Sequence, residues 1–71
     1  MDWWAETDRL HCVDGAGALV ELIVRQHVTE RTEGLTFEPP VYVTSAGEPV
    51  TRLGGDLFQL RSGEMLSRSR R

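Results

Sequence analysis

The sequence predicts an all-β protein, a small antiparallel meander of about five to six strands that curls into a partly open barrel. Three observations carry this expectation. The longest apolar run, Ala18 to Val28, alternates with a period of two. Glycine-containing turn signals recur at short spacing, at Asp14-Gly15-Ala16-Gly17, Glu33-Gly34, Ser45-Ala46-Gly47, Gly54-Gly55-Asp56 and Ser62-Gly63. Between them lie short stretches of valine, leucine, threonine and aromatic residues, which suit a pleated surface.

The run from Ala18 decides the fold class. Its even positions, Ala18, Val20, Leu22, Val24, Gln26 and Val28, form a dry face, and its odd positions, Leu19, Glu21, Ile23, Arg25 and His27, a mixed one. A helix would also gather Ala16, Leu19, Val20, Ile23, Val24 and His27 into one stripe. Two features favour the strand. Val20, Ile23, Val24, Val28, Thr29 and Thr32 are β-branched, and Gly15 and Gly17 would fall in the first helical turn but form an ordinary hairpin loop.

The remaining elements follow in order. Trp3 and Trp4 are adjacent, so on an extended segment they point to opposite sides and one of them is expected in the core. Arg9 to Val13 reads as the first strand. A three-residue loop of Gly15, Ala16 and Gly17 sets Cys12 opposite Val20 and Leu10 opposite Leu22, which keeps one face apolar and places Gly17 at positive φ. The second strand runs on to Thr32. A turn at Glu33-Gly34 leads into Leu35 to Glu38, with Phe37 opposite Glu30 on the face that carries Val28, and Pro39-Pro40 ends that ladder. The tip of this hairpin is expected to project as an arm. Val41 to Thr44, Pro49 to Leu53, Leu57 to Leu60 and Glu64 to Ser67 complete the meander. Pairing Val43 with Val50, Val50 with Leu60 and Leu60 with Met65 gives one apolar face, and sets Arg61 opposite Glu64.

The segment Gly47-Glu48-Pro49-Val50, then Asp56-Leu57-Phe58, then Ser62-Gly63-Glu64-Met65-Leu66-Ser67-Arg68, resembles the ends of short uncharacterised bacterial proteins with a Gly-x-x-Val, Asp-x-Phe and Gly-Glu-x-Leu pattern. The resemblance covers about a third of the chain, and its motif is turn chemistry. It implies a β-rich fold and no particular activity.

Length and composition bound the function. Seventy-one residues make one domain, read as residues 1–67, close to the size at which a core alone holds a fold, so a homo-oligomer or a protein partner is expected. A single cysteine excludes an intramolecular disulfide and a thiolate zinc site, and fits a reducing cytoplasm. The acidic start, Met-Asp-Trp-Trp-Ala-Glu, is unlike a signal peptide, and no apolar stretch reaches the roughly 20 residues that span a bilayer. All eight basic residues are arginine, which fits codon usage in a GC-rich genome. Nine acids and three arginines fall in residues 1–50, against two acids and five arginines in residues 51–71. The positive end, residues 68–71, reads as a flexible arginine-rich tail.

Candidate chemistry is sparse. Adjacent His11 and Cys12 face opposite sides of a strand, and Cys12 lies seven strand positions from His27, roughly 23 Å. A Cys-His dyad is therefore not expected, nor a metal, cofactor or catalytic residue. Gly54-Gly55-Asp56 lacks the helix that a phosphate loop requires. A chain this small also leaves little room for a pocket of a few hundred Å³. The reading is a non-enzymatic protein-interaction or self-association module, with Trp3, Trp4, Phe37 and Tyr42 as the candidate surface. The alternative is a small β-barrel that binds nucleic acid, with Arg52, Arg61 and the tail on phosphates and Trp3, Trp4, Tyr42 or Phe58 stacked on bases. The acidic balance weighs against it.

Overall fold

Strands of twelve and thirteen residues exceed what the other strands of this sheet can pair with, and the surplus length leaves the barrel wall. The structure is a computed structural model that describes residues 1–69, and it contains β1 (Asp2–Val13), β2 (Leu19–Arg31), β3 (Gly34–Phe37), β4 (Val41–Thr44), β5 (Pro49–Gly54), β6 (Leu57–Leu60) and β7 (Met65–Arg68). No described residue is helical. All neighbouring strands are antiparallel in one sheet ordered β1-β7-β6-β5-β4-β2-β3, and β1 also pairs with β2. Six strands thus pair in a ring, with β3 outside it. The all-β expectation holds, with seven strands where five to six were predicted, and Ala18 to Val28 is the strand at the centre.

The β1–β2 hairpin has the predicted register, with Cys12 opposite Val20 and Leu10 opposite Leu22. Its loop is the predicted three-residue turn. Gly17 sits at φ 83° and donates its amide to the Asp14 carbonyl, and Asp14 Oδ1 accepts the amides of Ala16 and Ala18. That side-chain cap replaces backbone bonds the loop cannot make.

The first strand is much longer than Arg9–Val13, because the N-terminal segment continues the ladder from Asp2, opposite Thr29. Alternation fails to reveal this, since the register shifts between Glu6 and Asp8 and Thr7 is the extra residue. Across this bulge the inward positions change from even (Leu10, Cys12) to odd (Trp3, Ala5). Neither tryptophan enters the core, which corrects the expectation that one does. The ladder carries both of them past the barrel, where too little surrounds them.

The β2–β3 turn falls at Thr32-Glu33, one residue earlier than predicted, so Phe37 pairs with Val28 and Leu35 with Glu30. Phe37 keeps its predicted face because the register moves by two. Gly34, at φ 128°, serves as the first residue of β3 instead of a turn residue. β4 then continues along the same edge of β2, opposite Leu22 to Arg25. At the break, Pro39 and Pro40 offer no donors, and Gln26 Nε2 donates to the Glu38 carbonyl instead.

In the meander, Val50 pairs with Leu60 as predicted. The pairings on either side are off by one. Tyr42, not Val43, faces Val50, and Gln59, not Leu60, faces Met65. The cause is a turn of the Asp14 kind at both places. Gly47 donates to the Thr44 carbonyl and Gly63 to the Leu60 carbonyl, each from positive φ. Arg61 consequently lies in a turn and does not pair with Glu64. A one-residue shift exchanges faces. Tyr42 therefore packs on the core, its ring tilted 61° to that of Phe58 with centroids 5.2 Å apart, while Val43 joins buried Ile23 on the outer face.

The core inside the ring comprises Leu10, Cys12, Leu22, Val24, Val50, Phe58 and Leu66, with Val20, Tyr42 and Leu60 packed against it. β7 closes the ring through Arg68 opposite Cys12 and Ser67 opposite Val13. Arg68 thus belongs to a strand, and the Ser69 amide reaches the His11 carbonyl. Arg68 and Ser69, read from sequence as part of a flexible tail, are thus tied to the ring, and Arg70 and Arg71 lie outside the described residues.

Candidate interaction surface

Beyond the ring, residues 2–5 of β1, 26–31 of β2 and all of β3 make a three-stranded arm, and the described residues extend 48 × 25 × 20 Å. Directly paired residues share a face, so the arm has two distinct sides. On the inner side, continuous with the barrel interior, Trp3, Val28 and Phe37 form a row. Met1, Glu30 and Leu35 stand nearer the tip, where the Glu30 amide bonds the Met1 carbonyl at 2.8 Å. Ala5 and Gln26 stand nearer the barrel. Val28 is 1% exposed although its neighbours Trp3 (39%) and Phe37 (53%) are open to solvent. A dry centre with exposed apolar flanks is the profile of a contact surface.

The outer side is polar and centred on His27. Its Nε2 lies 3.2 Å from Asp2 Oδ2, and its Nδ1 bonds Glu38 Oε2. The ring also lies 5.2 Å from the Trp4 ring at a tilt of 46°. The imidazole thereby ties β1 to the end of β3 across β2. The Glu38 hydrogen bond is the largest influence raising the His27 pKa above its ordinary value. The charges of Glu38 and Asp2 add to it, and desolvation opposes it. Nearer the barrel, Arg9 bonds Glu6 at 2.6 Å and Glu21 at 2.9 Å.

Of the four residues proposed from sequence, the structure brings together Trp3 and Phe37. Trp4 is exposed on the opposite side, and Tyr42 is half-buried against Phe58 inside the ring. Met1 and Leu35 complete the surface. Leu35 alternates correctly with Phe37 and was legible as part of it.

Where the arm leaves the barrel, an open cleft of about 410 Å³ has a floor of Leu10, Val24, Tyr42 and Phe58 and charged sides that include Asp8, Arg52 and Arg68. A small domain thus offers more concave volume than its length suggested, because the ring is open at this end. Cys12 is fully buried beneath, and burial raises its thiol pKa, an effect that Asp56 increases and Arg68 opposes. A buried neutral thiol is a poor nucleophile. Alkylation of Cys12 by iodoacetamide at pH 7.5 should therefore be far slower in the native protein than in urea, as mass spectrometry would read. Equal rates would contradict its burial.

Among the described residues, no His, Cys, Asp and Glu side chains are grouped as a metal ion would need, and no helix is long and apolar enough to cross a membrane. Comparison of the chain with protein-family models, curated proteins and solved structures finds no match.

Proposed function

We propose that the protein is a non-enzymatic interaction module that associates, with itself or with a protein partner, through the inner side of its arm. The observation that carries this reading is the row Trp3, Val28 and Phe37, dry at its centre and half-open at both ends. Aromatic side chains on a fixed ladder bury large area at low entropic cost. The reducing cytoplasm is the compartment that suits a lone buried thiol.

Nucleic-acid binding has less support. Phe58 is buried, Tyr42 is half-buried, and the cleft that holds Arg52 and Arg68 also holds Asp8 and Asp56. A stacking platform beside a continuous basic groove, which single-strand binding requires, does not form from these residues.

Light scattering and affinity capture, run on the natural protein and on Phe37→Glu, test the proposal. Association, either as a mass above 8.0 kDa or as a captured protein, should disappear in the variant while the circular dichroism stays unchanged. A strict monomer that captures nothing would refute the reading.

A further inference from the structure

Resting on that reading, we infer that the occupant of the arm's inner side is the same surface of a second copy, packed face to face with its strands antiparallel to the first. Area supports a partner of this size. A large apolar side chain exposes roughly 200 Å² when free. At exposures of 89% for Met1, 39% for Trp3, 52% for Leu35 and 53% for Phe37, each arm offers roughly 450 Å² of apolar surface. Two arms together, with Gln26, Glu30 and the margins, reach the lower end of stable interfaces, about 1,200 Å².

Charge selects both the surface and the orientation. The protein is acidic overall, which opposes self-association through most of its surface, yet of the eight residues on the inner side only Glu30 has a charged side chain. Two-fold packing with parallel strands would set Glu30 against Glu30 of the other copy. The antiparallel alternative places each Glu30 over Gln26 of the other copy, whose amide can donate to it, and each Met1 over small Ala5. It also sets Trp3 over Trp3 and Phe37 over Phe37 on either side of Val28. A sheet extended edge to edge through β1 in the register centred on Trp4 is disfavoured, because it puts Asp2 directly opposite Glu6.

Cross-linking distinguishes the arrangements. Glu30→Cys and Gln26→Cys are prepared as separate single variants and mixed with a short bis-maleimide, which spans the roughly 10 Å between facing sheets that a disulfide cannot, with buried Cys12 kept out of the chemistry. The mixture should give a cross-linked dimer of one variant with the other, well above the yield of either alone. Sedimentation of the natural protein should give twice 8.0 kDa, and Phe37→Glu or Leu35→Glu should halve that mass with the fold intact. An 8.0 kDa species at every concentration would overturn the inference, as would Glu30→Cys cross-linking to itself in preference. If the monomer still captures another protein in a Phe37-dependent way, the dimer is wrong and the interaction module stands. If Phe37 affects neither, both are wrong.

Discussion

Phe58→Ala should leave the protein unfolded or close to it at room temperature. Phe58 is 2% exposed, lies between Arg52 of β5 and Leu66 of β7, and meets the Tyr42 ring at 61°. Truncating a buried phenylalanine costs about 3–5 kcal/mol through lost transfer energy and an unfilled cavity. The lost ring pair adds about 0.5–1.5 kcal/mol. A chain of this length has only about 4–10 kcal/mol in total at the usual stability per residue. The ring of strands has no second layer that could collapse into the gap, so the loss should fall near the upper end. Urea titration followed by circular dichroism gives the number. Leu57→Ala, exposed on the same strand, serves as the control and should change stability by less than about 0.5 kcal/mol. A Phe58→Ala loss below about 1 kcal/mol would mean that the core is not centred where the structure places it.

The arm should loosen as pH rises through neutrality. His27 is held by Glu38 and Asp2, and these partners raise its folded pKa above the ordinary value near 6.5. The protonated form is the one that both carboxylates bind. Its contribution is therefore complete below the unfolded pKa and is lost as pH rises through the higher folded one. The change should be confined to the arm, because His27 ties only β1, β2 and the end of β3. Hydrogen exchange of the Glu38 amide, which bonds the His27 carbonyl at 3.0 Å, should gain protection on acidification from pH 8.5 to 6 beyond the intrinsic effect. His27→Gln should remove that dependence and leave amides of the ring unchanged. The emission of Trp4, tilted against the imidazole, should follow the same transition. A pH-independent Glu38 amide would show that the bridge does not hold in solution.

Much of this fold was legible, and the places where it was not have particular causes. The Asp14 turn could be read because two registers competed and only one kept Leu10 and Cys12 on a dry face with Leu22 and Val20. The same five-residue pattern, with glycine fourth, recurs as Thr44 to Glu48 and Leu60 to Glu64. Carried over to those turns, it would have placed Tyr42 opposite Val50 and Gln59 opposite Met65. Matching valine with valine gave the wrong face, because apolar residues occupy both parities in Val41-Tyr42-Val43. The arm's site was half legible. Trp3 and Phe37 stand out by size, but Thr7 interrupts the alternation that would have assigned Trp3 and Trp4 to their sides. Nothing in the local sequence marks that bulge, since its cause is the pairing with β2. The bridge of His27 to Asp2 and Glu38 joins residues 25 and 11 positions away, and only the three-stranded register brings them into contact.

The order of synthesis gives the closure of the ring a further consequence. β1 and β2 can pair as soon as residue 31 exists, yet the barrel edge of β1 near Cys12 waits for Ser67 and Arg68. At translation rates of about 5–20 residues per second, a growing chain therefore spends some seconds with an unsatisfied strand edge beside Leu10 and Cys12. In that interval the nascent hairpin can template pairing with a neighbouring chain. Two carboxylates, Glu6 and Asp8, stand along this edge just before the core residues. Glu6 is taken up by Arg9, which leaves Asp8 as the charge that opposes such pairing until the last strand arrives.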